Sequence, residues 1–448
     1  MNNKSLSLPG RILALFFIFT AVFTFSSCSI ASETLNKIRL SLDPQNRYLD
    51  QLIREQLPVP QPDVQISEAL SPVRYENMYG YRSLNAGQKE IYDRIHTAVL
   101  NYYRLVDLRD RPMPINDFLR IFYYYIDDHP EAFWVNPHID NFYYNESEAL
   151  SIGVVLQYLT SDSSDHFDST TGEIGNRIDN SELTAMRVEF NTTINQILRN
   201  ISPNDDELMR ELKIFNYIAE NVRYDEDLAT EIKRNIQVSR PIRQSAYGAA
   251  IEQATVCSGF SKLFLLLTNA VGIECLTQYG KLEGDGHQWN VIRIGGNYYN
   301  VDVTQPIIST DNKAIINYAF FNTTDSDIGK THVINPACLI NSNFQVSYDV
   351  PACNTTANSF ETLFAVRTDG PINQREYEQK IQRIYDYNLS ELHFRFPNGT
   401  TQNTAKTWFN NNETLLRSLA AKHFTLDAYY YFFEQTGNAF IKLKRINE

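Results

Sequence analysis

The chain has 448 residues, of which 43% are hydrophobic and 21% are charged, so it is too apolar to be disordered and too long for one ordinary core. Acidic residues outnumber basic residues by 53 to 40, giving a formal charge of −13, which argues against a nucleic-acid-binding surface. Five cysteines in this length exclude a scaffold built from disulfides. The sequence has no Cys-x-x-Cys pair, which also excludes a structural zinc ribbon.

The first thirty residues have the order of an export signal. Lys4 and Arg11 precede an uncharged apolar run at 12–25 that is short for a membrane span. Small residues then lead to Cys28, and this resembles a bacterial lipobox, in which the cysteine is lipidated and becomes the mature N-terminus. The alternative is ordinary secretion with cleavage after Ala31. Both interpretations predict a protein outside the cytoplasmic membrane, and lipidation would anchor it to the outer face of that membrane.

The N-terminal third is expected to be mostly helical. Residues 1–27 are predicted to be the signal peptide, 28–80 a tether or extended segment, and 81–200 a helical domain. Asn85 and Gln88 have the spacing of a capping box at the start of its first helix.

Strands and an acidic loop are predicted to follow a second helix, at 115–127. Apolar stretches at 132–135 and 149–159 indicate the strands, and polar residues at 161–180 indicate the loop. Ten acidic residues and no Lys or Arg lie between Arg120 and Arg177. Their spacing differs from that of a calcium-binding EF-hand loop, so a solvated acidic face is the preferred interpretation.

The C-terminal part, 355–448, is predicted to be an α+β domain without catalytic residues. The elements expected in it are helices at 374–387 and 404–422, a strand at 391–396 and a hairpin across 436–438. Before it, Cys338 and Cys353 lie fifteen residues apart in a stretch rich in Asn, Ser and Pro, where a disulfide could form in an exported protein. Cys275 is expected to be a buried small hydrophobe.

The segment that carries chemistry begins at Cys257, immediately before a predicted amphipathic helix that Gly272 ends. At a helix N-terminus, unpaired backbone N–H groups and the helix dipole favour a thiolate over a thiol. The same N–H groups could stabilise an oxyanion formed by attack on an acyl carbon. Cys257 is therefore the candidate nucleophile, and the small Ser258 beside it would let a substrate approach closely.

A base and an orienting acid are found in the hairpin that follows. The strand at 287–294 and the strand at 298–303 are joined by a two-residue turn, at either Gly295–Gly296 or Gly296–Asn297. In both registers Asp302 shares a face with His287, and in the first it is the diagonal neighbour at roughly 5 to 8 Å between Cβ atoms. Asp302 could therefore hold one nitrogen of His287 while the other faces Cys257.

These residues resemble the transglutaminase-like superfamily over roughly 205–335. The matching motifs are IFNYIAENVRYD, SAYGAAIEQATVCSGFSKLF, GDGHQWNVIRIGGNYYNVDVTQP and FFNTTDSDIGKTH, which ends at His332. The resemblance implies an α+β fold with a papain-like core over 201–350, in which a helix with an N-terminal Cys packs on an antiparallel sheet. It also implies a triad in which Cys257 is the nucleophile, His287 the general base and acid, and Asp302 the orienting carboxylate.

The expected function is an exported thiol acyl-transfer enzyme, foremost a cysteine peptidase or amidase acting on protein or cell-wall peptide. The alternatives are a cross-linking transglutaminase, a deamidase, and a non-catalytic binding or scaffold protein. Tyr247 could assist at the oxyanion site or serve in packing, and Trp289 could wall the cleft or belong to the core. No cofactor or metal is implied, the partners expected are a peptide or protein substrate and the membrane, and His332 has no assigned role.

Overall fold

The computed structural model describes most of the chain after residue 69. The described residues are 70–101, 103, 105–137, 139, 142–145, 150–156, 180–234, 241–304, 307–310, 313–335, 337–341, 344–347, 349–433 and 437–446. The predicted signal peptide, the lipidation site at Cys28 and most of the acidic loop lie outside them. None of the described helices is both long and apolar enough to span a membrane.

The N-terminal part combines helices with a small antiparallel sheet. Its elements are α1 (Tyr79–Arg82), α2 (Ala86–Leu100), β1 (Leu105–Asp107), α3 (Ile115–Asp128), β2 (Phe142–Asn145), β3 (Leu150–Val155) and α4 (Asn180–Leu198). The strand order is β1-β3-β2. The predicted capping box is confirmed, because the Asn85 side chain accepts from the Gln88 N–H and the Gln88 side chain accepts from the Asn85 N–H.

Two predictions for this part need correction. The end of the predicted tether is folded: Leu70 is buried, and Gly80 donates its N–H to the buried Asp128 carboxylate at 2.9 Å. Residues 132–135 form a turn that ends at an isolated bridge position rather than a strand, with the Val135 N–H donating to the Ala132 carbonyl. They are apolar because Phe133 and its neighbours are buried in the core, and burial in a turn produces the same composition as a strand.

The central part contains the predicted chemical segment. Its elements are α5 (Glu207–Asn221), β4 (Arg223–Tyr224), α6 (Glu226–Lys233), β5 (Ala254–Thr255), α7 (Cys257–Ala270), β6 (Cys275–Leu282), β7 (Asp285–Ile294), β8 (Asn297–Val301), β9 (Ile307–Thr310), β10 (Lys313–Ile316), α8 (Asp325–Ile328), β11 (His332–Ile334), β12 (Ala337–Asn341) and β13 (Phe344–Ser347). The main sheet is antiparallel with strand order β11-β6-β7-β8, and α7 packs on β6 and β7. This arrangement confirms the predicted α+β fold, with its helix on an antiparallel sheet.

The C-terminal part is a second α+β arrangement. Its elements are α9 (Phe360–Phe364), β14 (Val366–Arg367), α10 (Gln374–Asp386), β15 (Glu391–Arg395), α11 (Gln402–Ala420), β16 (Phe424–Phe433) and β17 (Asn438–Arg445). The strands are ordered β14-β15-β17-β16. One hydrophobic core runs through all three parts, and the Phe360 ring stacks on Tyr318 of the central part with centroids 4.0 Å apart.

Cys353 is a free cysteine, so the structure does not contain the predicted disulfide to Cys338, whose side chain lies outside the described residues. Its side chain is fully buried against Leu276 and Val291 on the main sheet. Asp325 holds the segment instead, because its side chain accepts the Cys353 N–H at 3.0 Å and its own N–H donates to the Cys353 carbonyl at 2.8 Å. The spacing in the sequence did not reveal this packing. Cys275 is buried, as predicted.

Candidate active site

Cys257 is the first residue of α7, as predicted from the sequence. Val256 before it is in an extended conformation, so the helix begins abruptly at the end of β5. Gly259 is required here because a Cβ atom at this position would lie 1.9 Å from Thr255 Oγ1. The first N–H groups of a helix have no intrahelical acceptor, so this end presents donors beside the half-buried Cys257.

A chain of polar contacts braces the strand that leads to Cys257. The Thr255 hydroxyl donates to the Arg243 carbonyl at 2.6 Å, and the Arg243 guanidinium pairs with the buried Asp225 carboxylate. Asp225 also caps α6 by accepting the Leu228 N–H at 3.0 Å. Charge-assisted bonds between buried groups are strong, so this chain fixes the start of α7 relative to β4 and α6.

Ser258 takes part in the same bracing. Its hydroxyl donates to the Gln244 carbonyl at 3.1 Å. Its acceptor lies at the end of the short 3-10 helix Pro241–Gln244, and the role of Ser258 as a small neighbour of the nucleophile stays a prediction.

Helix α7 is tied to the strand that bears His287 through Ser261. The Ser261 hydroxyl donates to the Trp289 carbonyl at 3.2 Å, and the Asn290 side chain donates to the Ser261 carbonyl at 3.1 Å. All three residues are buried. These contacts set the position of Cys257 relative to β7.

The hairpin of β7 and β8 has the first of the two predicted registers. Ile294 pairs with Asn297 and Asn290 pairs with Val301, so the turn is Gly295–Gly296. Both turn glycines have positive φ, at 57° and 82°, which two-residue hairpin turns of this kind require. The predicted contact follows: His287 Nε2 lies 2.8 Å from Asp302 Oδ2.

The Asp302 carboxylate is buried and has three hydrogen-bond partners. Besides His287, Oδ2 lies 3.1 Å from Nε2 of His332, and Oδ1 accepts the Thr304 N–H at 2.9 Å. The backbone of Asp302 is fixed as well, because its N–H donates to the Phe320 carbonyl at 3.0 Å. A carboxylate with this many donors is held in one orientation.

The electrostatics are those of an ion pair. Burial lowers the pKa of His287, but the charge and hydrogen bond of Asp302, together with a hydrogen bond to Cys257, outweigh it and raise that pKa to about 10. Burial raises the pKa of Asp302, yet the charge of His287 and the hydrogen bonds it receives bring it far below its usual value. Asp302 is therefore an acceptor only, so His287 carries a proton on Nε2 and directs Nδ1 to Cys257.

Trp289 and Tyr247 have packing roles in the structure. Trp289 is 1% exposed, donates its indole N–H to Asn300 Oδ1 at 2.9 Å, and lies beside the His287 and His332 rings. It supports the base from within the core, and its burial favours the core alternative over a wall of the cleft. Tyr247 is buried against Phe133, and its hydroxyl donates to Glu189 at 3.0 Å. These contacts support the packing alternative for Tyr247.

Two further residues belong to the site. His332 begins β11, which pairs with β6 and brings the imidazole to Asp302. Tyr224 lies on β4 beside Thr255, and burial, followed by the charges of Cys257 and its acidic surroundings, raises its pKa to about 12. Tyr224 occurs in the motif NVRYD and His332 in the motif KTH, but no spacing in the sequence assigns either of them a role.

His287, Asp302 and His332 could also hold a cation. One potential ligand atom from each lies within 4.8 Å of the others. Two imidazoles and a carboxylate suit zinc or a similar metal. The hydrogen bonds of 2.8 and 3.1 Å already account for the grouping, because both imidazoles donate to one ionised oxygen.

Comparisons with known proteins agree with this geometry. Residues 195–303 match the model of the "Transglutaminase-like superfamily", and the match contains Cys257, His287 and Asp302. Members of this superfamily are usually cysteine enzymes, of the hydrolase or transferase kind. The predicted resemblance is therefore confirmed for this part of the chain.

Two solved structures show weaker similarity. One, described as a "TGase", is 17% identical with a TM-score of 0.26, and the match covers 39% of this chain and 44% of that one. The other, a "Putative Cysteine Protease from Cytophaga hutchinsonii", is 16% identical with a TM-score of 0.21, and the match covers 40% and 65% respectively. The chain thus spans less than two thirds of each. No curated protein matches the chain.

Proposed function

We propose that the transglutaminase-like domain of this chain is a thiol acyl-transfer enzyme, foremost a cysteine peptidase or amidase that acts on protein or cell-wall peptide amides. The observation that carries the proposal is the buried hydrogen bond of 2.8 Å between His287 and Asp302, next to a cysteine at a helix start. A buried imidazole of raised pKa paired with a thiol is the arrangement that activates a cysteine nucleophile.

The geometry supports a two-stage reaction. In the first stage the Cys257 sulfur attacks the amide carbonyl carbon, and the N–H groups at the start of α7 stabilise the oxyanion. His287 then gives its Nδ1 proton to the leaving amine, and the C–N bond breaks to leave a thioester. In the second stage His287 takes a proton from water as the water oxygen attacks the thioester. The C–S bond then breaks, which releases the acid and restores the Cys257 thiolate beside protonated His287. Asp302 keeps the tautomer of His287 fixed throughout.

The acceptor in the second stage decides the kind of enzyme. Water gives a peptidase or amidase, or a deamidase if the amide is a glutamine side chain, whereas a lysine amine gives a cross-link. We favour water because the acceptor then needs no second binding site. A lysine-mimicking fluorescent amine added to the assay distinguishes the outcomes, because only a transferase would incorporate it into a peptide.

Alkylation of Cys257 by iodoacetamide, measured against pH in the full chain, tests the reactive pair. We expect labelling well below the free thiol pKa of about 8.5 and a marked loss of rate in H287A. C257A corrects for the other cysteines, and C275A is the matched control, because Cys275 is buried and burial raises its pKa. A thiol pKa at or above about 8.5, with equal labelling in H287A, would leave only a binding or scaffold role.

A peptide library incubated with the full chain tests turnover. We expect cleavage or deamidation products from the wild type and none from C257A, with a covalent acyl adduct on Cys257 detected by mass spectrometry at short times. Reactive Cys257 without products from any peptide or amide would favour the non-catalytic alternative.

We also propose that the protein is exported and anchored through a lipid on Cys28. The support is the order of charged, apolar and small residues before that cysteine. In a bacterial host, a C28A variant should lose membrane association and fatty-acid labelling. Equal membrane association of wild type and C28A would contradict the anchor but leave the enzymatic proposal untouched.

A further inference from the structure

Asp302 Oδ2 is shared by two buried imidazoles. His287 Nε2 lies 2.8 Å away and His332 Nε2 lies 3.1 Å away, and the His332 side chain is fully buried. The two rings come from different strands, since His287 is on β7 and His332 begins β11, on the far side of β6. The proposed reaction uses His287 and assigns no role to His332.

The surroundings of His332 fix the position of its ring and the proton on one nitrogen. Nε2 must carry a proton because the ionised Asp302 can only accept. Nδ1 lies 2.8 Å from the hydroxyl oxygen of Thr331, which also donates to the Ile328 carbonyl at 3.3 Å. The rings of Trp289 and Phe320 lie against it with centroids 5.1 and 4.9 Å away, which leaves the imidazole one orientation.

We propose that His332 is a positioning residue for the Cys257 site, which fixes Asp302 Oδ2 toward His287 and takes up part of that oxygen's negative charge. The inference rests on the proposed function, because it concerns the same triad. It is carried by the two distances and by the complete burial of the His332 side chain.

Sharing the negative charge of Asp302 Oδ2 between the two histidines affects the pKa of His287. Two donors on one oxygen weaken each other, so the hydrogen bond from His332 is stronger when His287 is neutral than when it is an imidazolium. His332 therefore stabilises the neutral form of His287 and keeps the pKa of His287 lower than Asp302 alone would set it. A less basic imidazolium gives its proton more readily to a leaving amine.

The test is the pH profile of Cys257 alkylation in full-length H332L, a variant without a donor at this position. The alkaline limb of the profile reports loss of the His287 proton, and we expect it to move up by about half a unit to one unit. In a peptide-amide assay kcat should fall roughly 10-fold with KM unchanged, since binding does not involve His332. H332Q keeps a side-chain N–H and should recover most of both effects.

Controls separate positioning from a merely structural role. H423Q makes the same replacement at a half-buried histidine of the C-terminal part and should leave the profile unchanged. Loss of packing alone would lower the fraction of titratable Cys257 without moving the limb. An alkaline limb that stays in place or moves down in folded H332L would overturn the inference.

A further measurement does not depend on the folding of H332L. Nitrogen-15 NMR of the histidines in the wild type, with His332 assigned from the spectrum of H332Q, should show a proton on its Nε2. A proton on Nδ1 alone would overturn the inference. The two proposals fail separately: a wild type without an activated Cys257 contradicts the enzyme, whereas an activated Cys257 with an unmoved limb in H332L contradicts only the role of His332.

Discussion

Two histidines with buried side chains, on two four-stranded sheets, show how a carboxylate partner changes the pKa of an imidazole. His287, on β7 of the central part, has Asp302 at 2.8 Å. His393, on β15 of the C-terminal part, is surrounded by the rings of Phe440, Phe360 and Tyr318, with centroids 4.2, 4.5 and 5.1 Å away. Among the described residues, its Nε2 has no hydrogen-bond partner.

The two environments move the pKa values in opposite directions. Burial lowers the pKa of His393 well below the usual value, so this ring is neutral. Burial also lowers the pKa of His287, but Asp302 and Cys257 raise it to about 10. Burial alone therefore produces an inert histidine, and the paired carboxylate turns a similar position into a proton donor and acceptor.

The largest effect is expected for D302N, which removes the charge that distinguishes the two histidines. The amide can donate to Nε2 and reverse the tautomer of His287, so the rate of peptide-amide turnover at neutral pH should fall roughly 10³- to 10⁴-fold. Steady-state kinetics on the full chain measure this loss. D369N is the matched control, since Asp369 is exposed and pairs with Arg367. A loss below 10-fold in D302N would remove Asp302 from the triad.

The second prediction concerns the stability that the His287–Asp302 pair supplies. H287F should lower the free energy of unfolding at pH 7 by about 3–5 kcal/mol, because a buried charge loses its partner. The pKa of His287 is raised above the unfolded value of about 6.5, so its contribution is complete below that pH and is lost as the pH rises through about 10.

Urea denaturation at several pH values between 7 and 10.5 measures this prediction. The difference in unfolding free energy between wild type and H287F should shrink toward high pH. H423F is the control, because the pKa of His423 is lowered by burial and its contribution should not decline in that range. A difference that stays constant to pH 10.5 would contradict a protonated His287.

The contact between His287 and Asp302 could be predicted from the sequence because it depends on local rules. Gly295–Gly296 sets the hairpin register, and alternation along the strands then puts both residues on one face. The start of α7 at Cys257 likewise follows from local apolar spacing. These steps involve fewer than fifty residues and no long-range packing.

The contact between His332 and Asp302 could not be predicted in this way. It requires β11 to pair with β6, where His332 lies opposite Leu282, fifty positions earlier. No turn links those strands directly, so their register depends on the packing of the whole central part. The packing roles of Trp289 and Tyr247 and the burial of Cys353 depend on the same kind of distant contact.

The third prediction extends the comparison to a buried acid without a cation. Glu211 on α5 is fully buried, its Oε2 accepts from Asn322 at 2.8 Å, and its Oε1 has no partner among the described residues. Burial raises its pKa well above the usual value. Its contribution to stability is therefore present below the unfolded pKa of about 4.5 and is lost as the pH rises above it.

E211Q removes that pH-dependent loss while keeping the shape of the side chain. Relative to wild type, the variant should gain unfolding free energy between pH 5 and pH 7, by at most about 2.7 kcal/mol over two pH units. Urea denaturation at the two pH values measures the gain, and E413Q, at an exposed position paired with Arg417, should show none. If the wild type were more stable than E211Q, and by a larger margin at pH 7 than at pH 5, Glu211 would be ionised and stabilising.

The smallest expected effect belongs to the unpaired histidine, in H393F. The folded-state pKa of His393 lies below the unfolded value of about 6.5. The wild type therefore loses stability as the pH falls below 6.5, because His393 becomes protonated in the unfolded chain but stays neutral in the folded protein. Phenylalanine removes this penalty and suits the surrounding rings. Between pH 8 and pH 5.5 the variant should therefore gain about 1.4 kcal/mol of unfolding free energy relative to wild type. Thermal and urea unfolding measure the difference in unfolding free energy between H393F and wild type at each pH. If that difference were the same at pH 8 and pH 5.5, His393 would be protonated in the fold, and the contrast with His287 would no longer depend on the carboxylate.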